Sequence, residues 1–172
     1  VIAPDDTPYA CTCATCTALG NTEKNATPAV TELIIRLSQR FPKHFFFTTS
    51  YLTTQQVTDK QLPSNAGVIV SAIDYPLRRT DGKNEQDKKF ADQLDNWKKV
   101  TNNIYIWDYI NNFDDYLTPF PILKIAQQRL QFFKQHGASG IFFNGSGYSY
   151  SSFDEMRTFV LSSLLILSLI HI

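Results

Sequence analysis

The chain has 172 residues, of which 43% are hydrophobic and 13% aromatic, which is enough to bury one sizeable core and too little for two. Sixteen basic and sixteen acidic residues balance to a formal net charge of zero. Proteins that bind nucleic acid usually carry a basic surface, so we expect no nucleic-acid partner.

The N-terminal part of the chain predicts the end of a strand followed by a helix. Residues 1–3 form a short apolar run. A helix is predicted from Thr27 as N-cap, because Pro28 is favoured in a first turn. It should stop at Phe41, because a proline at position 42 disfavours the helical conformation of the residue before it. The residues predicted to lie on its buried face are Val30, Leu33, Ile34 and Leu37.

Four further apolar runs predict strands, and three helical patterns accompany them. The runs are nearly continuous, which is typical of strands covered on both faces. They comprise residues 45–49, 67–73, 104–107 and 140–144. One helix between them is predicted to bury Phe90, Leu94 and Trp97. Another, from about Pro121 to His136-Gly137, is predicted to bury Ile122, Ile125, Ala126, Leu130 and Phe133. A last helix should follow Ser152.

This alternation of strands and helices is typical of a parallel sheet with covering helices. We therefore predict an α/β fold, a partial (β/α)8 TIM barrel with about five strands and four helices in residues 1–165. A full barrel takes roughly 250 residues, so this part would be C-terminal and lack about three strands. The alternative is an open doubly wound sheet, but Gly145-Ser146-Gly147 lacks the spacing of its usual phosphate loop.

The C-terminal residues 166–172 resemble translated adapter or vector sequence, and we treat them as a non-native tail. The apolar stretch 159–172 is shorter than the roughly 20 residues that a membrane-spanning helix requires. We therefore predict no membrane span.

Polar and aromatic side chains follow the predicted strands, where a (β/α)8 barrel builds its active site. Aromatic rings offer flat apolar surfaces for pyranose rings, while carboxylates accept hydrogen bonds from hydroxyl groups. The alternative for any single Asp is a solvated loop residue. The pattern predicts a carbohydrate site drawn from Asp5, Asp6, Tyr51, Asp74, Trp107, Asp108, Tyr109 and Asn144.

Histidine is missing from these strand ends, because His44 opens a strand, His136 ends a helix and His171 lies in the tail. A Ser-His-Asp triad or a His-based metal site is therefore not expected. Glycoside hydrolysis can proceed with two carboxyl groups alone. None of the glutamates falls at a strand end, so a catalytic pair within this chain would consist of aspartates.

Cys11, Cys13 and Cys16 form a CxCxxC cluster after the first strand. A zinc site normally has four ligands, so these thiols would need a fourth from outside the chain. In an oxidising compartment the alternative is one disulfide and a spare thiol. We favour a role in stabilising the loop over catalysis, because no neighbouring His or Arg would activate a thiolate. We expect no cofactor, and a metal only through these cysteines.

Several motifs together resemble the bacterial domain of unknown function 4838. They are Pro4-Asp5-Asp6, Cys11-Thr12-Cys13-Ala14-Thr15-Cys16, Tyr51, Ile104-Tyr105-Ile106-Trp107-Asp108-Tyr109 and Pro119-Phe120-Pro121. That family is similar to glycoside-hydrolase barrels and includes members grouped with glycoside hydrolase family 163, which are endo-β-N-acetylglucosaminidases. The resemblance implies a carbohydrate-active barrel that acts on oligosaccharides or glycoprotein glycans, in the periplasm or at the cell surface.

The resemblance to retaining glycosidases also implies roles for individual residues. Asp108 would be the nucleophile or stabilise the transition state, and Asp5 or Asp6 would be the acid/base, although such enzymes commonly use glutamate. Asp74 and Tyr51 would orient a substrate acetamido group if that group attacks. The expected substrate-binding residues are Tyr51, Asp74, Trp107, Tyr109 and Asn144. The alternative function is a non-catalytic carbohydrate-binding barrel, in which the aromatic residues stack on sugar and the aspartates only form hydrogen bonds.

Overall fold

A four-stranded parallel sheet with helices forms the framework of the protein. The structure is a computed structural model that describes residues 1–76, 84–145 and 151–170, with only the backbone for 167–170. The strands, in both chain and spatial order, are β1 (Phe46–Ser50), β2 (Ala66–Ser71), β3 (Ile104–Tyr109) and β4 (Gly140–Asn144). The α-helices are α1 (Ala14–Ala18), α2 (Thr27–Arg40), α3 (Glu85–Lys98), α4 (Leu123–Gln135) and α5 (Asp154–Ile170).

The predicted parallel α/β organisation is confirmed, whereas the numbers of elements differ. The described residues contain four strands and five α-helices. Residues 1–3 do not enter the sheet; a single hydrogen bond from the Ile2 N–H to the Phe47 carbonyl (2.7 Å) holds them beside β1. The helix α1 was not predicted. Between β1 and β2 the chain forms only a 3-10 helix, Leu52–Thr54. Ser146, Gly147 and His171 lie outside the described residues.

The helix α2 ends where predicted, and of its predicted buried residues Ile34 is buried while Val30 and Leu37 are half-buried. Ala26 is the N-cap residue, so the prediction of Thr27 as N-cap was wrong by one position. The Asn25 side chain accepts a hydrogen bond from the Thr27 N–H (3.0 Å). The prediction that Leu33 is buried was wrong, because 46% of its surface is exposed. The helix packs on β1 with small polar side chains, which allow close approach. The buried residues of α2 are Thr27, Thr31, Ile34 and Ser38.

The main hydrophobic core lies between the sheet and the helices α3 and α4. Alternate residues of the central strands point into it, namely Val68, Val70, Ile104 and Ile106, all of them fully buried. Trp97 of α3 packs there and donates a hydrogen bond from its indole to the Ser50 hydroxyl (3.0 Å). The predicted core residues Phe90, Leu94 and Trp97 of α3, and Ile122, Ala126, Leu130 and Phe133 near or in α4, are confirmed as buried. Ile125, also predicted to be buried, is half-buried.

The opposite face of the sheet carries aromatic side chains. Phe47 and Tyr105 meet edge to face, with ring centroids 5.1 Å apart. Trp107 contacts Phe142 on the neighbouring strand in the same way, at 5.9 Å. Gly140 leaves room for the Tyr105 ring, since a Cβ at position 140 would lie 2.5 Å from that ring. Phe142 is 56% exposed, so this face is only partly covered by the described residues.

The contrast between Leu94 and Leu33 provides a test of the fold. Leu94→Ala should lower the free energy of unfolding by about 2–5 kcal/mol, because a fully buried leucine leaves a cavity. Leu33→Ala removes the same atoms from an exposed helix position and should change the free energy of unfolding by no more than about 0.5 kcal/mol. Urea unfolding followed by circular dichroism measures both; equal losses would contradict the assigned core.

Candidate functional site

A pocket of about 180 Å³ opens at the carboxyl end of β1. Four of the predicted site residues line it: Asp5, Asp6, Tyr51 and Trp107. Both carboxylates are exposed, whereas the two aromatic side chains are half-buried. The pocket exists because the N-terminal segment runs beside β1 and places residues 3–6 against the strand end.

The 3-10 helix after β1 sets the position of Tyr51. The Tyr51 carbonyl accepts hydrogen bonds from both the N–H and the hydroxyl of Thr54, each 2.9 Å long. Leu52 adopts a φ of 46°, a left-handed conformation that is unusual for a residue other than glycine. Such backbone strain is frequent beside functional sites.

The Tyr51 phenol lies in a negative environment. Burial raises the pKa of Tyr51, and the charge of the Asp6 carboxylate, its hydrogen bond with the phenol and the charge of Asp74 raise it further. All of these effects favour the neutral phenol. Asp6 and Asp74 therefore both lie within electrostatic range of Tyr51.

Tyr109, at the end of β3, also interacts electrostatically with Tyr51 and Asp6. Burial raises its pKa, a hydrogen bond with Ser71 lowers it, and the charges of Tyr51, Asp6 and Asp108 raise it again. Its ring is nearly parallel to that of Trp107, with centroids 6.2 Å apart. The two rings form an aromatic surface on the open face of the sheet, next to the pocket.

Asp74 and Asn144 do not line this pocket. Asp74 is exposed and lines a larger polar groove of about 530 Å³, together with Ser71 and with Gln93 of α3. Asn144 pairs with Tyr109 in the register of β3 and β4. Its backbone carbonyl accepts a hydrogen bond from the Ile110 N–H (3.1 Å).

Asp108 does not point where the sequence analysis expects it. Its side chain is 1% exposed and turned toward the helices, where it forms a two-point ion pair with Arg129 of α4, at 2.7 and 3.0 Å. The Tyr109 N–H donates a third hydrogen bond to it (2.9 Å). Side chains alternate between the two faces of a strand, so the Asp108 side chain lies on the other face of β3 from those of Trp107 and Tyr109. Its carboxylate is not presented to the pocket.

Two buried arginines were not found by the sequence analysis. Arg129 also donates to the Pro76 carbonyl (3.0 Å) and lies over the Tyr75 ring (4.6 Å). Arg157 of α5 is 2% exposed and donates to the Ile110 carbonyl and the Asn111 side chain, both at 2.9 Å. The position of Arg129 in the sequence could have indicated its burial. It lies on the apolar face of α4, where a charged side chain must be paired.

The three cysteines converge beside α1. Their sulfur atoms all lie within 4.8 Å of one another, and none forms a disulfide. Hydrogen bonds from the Cys16 backbone and from the thiols of Cys11 and Cys16 lower the pKa of Cys13. The hydrogen bond with Cys13 is the main reason why the pKa of Cys16 rises to about 11. Within the described residues, this is the one group of three or more His, Cys, Asp or Glu side chains arranged to hold an ion.

Comparison with known proteins places the chain in a family. The model of domain of unknown function 4838 matches residues 1–167. The chain belongs to this family. No curated protein and no solved structure matches it. In the described part of the DUF4838 chain, none of the helices has the length and apolar character needed to cross a membrane.

The buried position of Asp108 predicts a structural role. Asp108→Asn should lower the free energy of unfolding by about 3–5 kcal/mol, because it leaves Arg129 buried without its counter-charge. Glu85→Gln, which makes the same change in the exposed Lys89 pair, should have almost no effect. Guanidinium unfolding compares them, and a small loss in Asp108→Asn would contradict this role.

The environment of Tyr51 predicts a measurable coupling with Asp6. Asp6→Asn should lower the pKa of Tyr51 toward its ordinary value of 10.0, because it removes a negative charge that disfavours the phenolate. The Tyr51 titration is isolated by subtracting the ultraviolet titration of Tyr51→Phe from that of the wild type. The same subtraction is repeated in the Asp6→Asn background, and an unchanged pKa would contradict the contact.

Proposed function

We propose that this chain is part of a carbohydrate-active (β/α)8 barrel and that its pocket binds a sugar. The observation that carries the proposal is the meeting of Asp5 and Asp6 with the half-buried rings of Tyr51 and Trp107 in one pocket. Carboxylates accept hydrogen bonds from sugar hydroxyls, and the rings offer apolar surface to the carbon-bound face of a pyranose.

The sheet supports the barrel part of the proposal. Its strands are all parallel and follow one another in chain order, as neighbouring strands of a (β/α)8 barrel do. Helices cover one face, while Tyr105, Trp107 and Phe142 lie on the other, which would be the interior of the closed barrel. The pocket is at the carboxyl end of β1, the edge where such barrels place their active sites.

Asp6 is the carboxyl group that we propose as acid/base. Its charge raises the pKa of both Tyr51 and Tyr109, so it interacts electrostatically with two aromatic side chains of the candidate site. Asp74, whose charge also reaches Tyr51, would orient a substrate acetamido group in a substrate-assisted reaction. Asp108 is left out of this scheme, because Arg129 already holds both of its oxygens.

The indole of Trp107 adds an unmet hydrogen-bond requirement. Its Nε1 is buried and has no acceptor among the described residues. Buried donors are nearly always satisfied in folded proteins. Reorientation of this ring to donate to a bound sugar hydroxyl would meet the requirement.

The finer parts of the proposal are a family 163-like endo-β-N-acetylglucosaminidase activity on glycoprotein glycans and a periplasmic or cell-surface location. Both rest on the resemblance of the motifs. A non-catalytic carbohydrate-binding barrel is the second candidate. It is favoured by one observation: the proposed nucleophile Asp108 is committed to a buried ion pair, which leaves the pocket with aspartates from one short segment.

The proposed function predicts a separation between turnover and binding. Incubation with a panel of N-glycoproteins and polysaccharides should release oligosaccharide, detected by mass spectrometry. Asp6→Asn should lower the rate by about 100-fold or more, the usual contribution of a general acid/base, while glycan affinity on an array is kept. Asp59→Asn, at an exposed aspartate outside the pocket lining, is the matched control.

The remaining outcomes distinguish the two candidates. Binding without release, weakened by Trp107→Ala but not by Tyr9→Ala at an exposed aromatic residue, would establish the non-catalytic function. Absence of both binding and release across the panel would reject a carbohydrate site.

A further inference from the structure

We propose that Cys11, Cys13 and Cys16 bind a single thiophilic metal ion of the Zn²⁺ class. The three sulfur atoms lie within 4.8 Å of one another. Sulfur ligands at about 2.3 Å from a tetrahedral zinc ion stand about 3.8 Å apart. Side-chain adjustments of about 1 Å therefore suffice to bring all three sulfurs onto one ion.

The backbone around the cysteines is fixed by hydrogen bonds. The Asn21 side chain donates to the Cys11 carbonyl (3.2 Å) and accepts from the Ala29 N–H of α2 (3.0 Å). The Cys13 carbonyl accepts from the Thr17 N–H (2.9 Å), and the Cys16 carbonyl accepts from the Asn21 N–H (3.0 Å). Asn21 thus ties two of the three cysteines to α2, which lowers the entropy cost of gathering them around an ion.

The donor atoms decide the class of ion. Thiolates are soft ligands that select Zn²⁺ or Cu⁺, while Mg²⁺ and Ca²⁺ prefer oxygen ligands. No His, Asp or Glu from the described residues joins the three cysteines. Three protein ligands leave one position of a tetrahedral zinc ion open for water or for a ligand from elsewhere. Cys11 and Cys13 are exposed, so an ion reaches the cluster directly from solvent.

A disulfide explains the arrangement less well. It would join two of the three sulfurs at about 2.05 Å and would not explain why the third sulfur lies close to them. All three thiols are free in the structure. An ion uses all three sulfurs, and it would stabilise the segment that leads from the pocket residues Asp5 and Asp6 to α2.

The test uses the complete chain, reduced and freed of metal with a chelator. Zn²⁺ alone is added in competition with a chromophoric chelator, and bound zinc is counted by mass spectrometry under native conditions. We expect one ion per chain, protection of all three thiols from alkylation, and a higher melting temperature in zinc than in chelator, because the ion binds the folded chain. Each of Cys11→Ser, Cys13→Ser and Cys16→Ser should weaken binding at least tenfold.

Thr15→Ser, in the same helix as Cys16, is the matched control and should bind zinc like the wild type. Circular dichroism establishes that each variant is folded. Failure of the folded, fully reduced protein to bind zinc would overturn the proposal, as would unchanged affinity in all three serine variants. A disulfide that forms in air and persists in zinc would replace it with the redox alternative. None of these readouts depends on glycan binding or turnover, so they fail or succeed separately from the proposed function.

Discussion

The buried ion pair between Asp108 and Arg129 organises the carboxyl edge of the sheet. Arg129 is nearly inaccessible to water, and its guanidinium joins the end of β3 to α4 and to the Pro76 carbonyl beyond β2. A buried pair is costly to desolvate and is tolerated only when nearly every hydrogen-bonding atom finds a partner. This pair therefore determines where β3, α4 and the segment after β2 lie relative to one another, and with them the position of Tyr109.

Side chains alternate along β3, so its core residues and its residues of the candidate site lie on opposite faces of the strand. Ile104, Ile106 and Asp108 face the helices, while Tyr105, Trp107 and Tyr109 face the open side. Since adjacent residues on a strand cannot share a face, Asp108 cannot act beside Trp107 in the pocket. The charged residue pairs with Arg129 among the helices, and its aromatic neighbours lie on the open face beside the pocket.

The candidate site depends on a segment that does not belong to the sheet. Residues 3–6 reach the end of β1 because Ile2 forms one backbone hydrogen bond with Phe47. The cysteine cluster follows directly and is connected to α2 through Asn21. Stability of this segment is therefore a condition for the pocket, and it is supplied by hydrogen bonds in loops rather than by burial of apolar surface.

The sequence by itself determined the parallel α/β organisation and most of the strands and helices, because hydrophobic periodicity is a local property. It also predicted that Asp5, Asp6, Tyr51 and Trp107 would lie together, and they line one pocket, but Asp5 and Asp6 reach it from a segment outside the sheet and not from a strand end. Only the tertiary structure decided that Leu33 is exposed, that Asp108 faces Arg129, and that three thiols converge. The physical reason is that helix rotation and the pairing of buried charges depend on partners far apart in the chain, which no local pattern records.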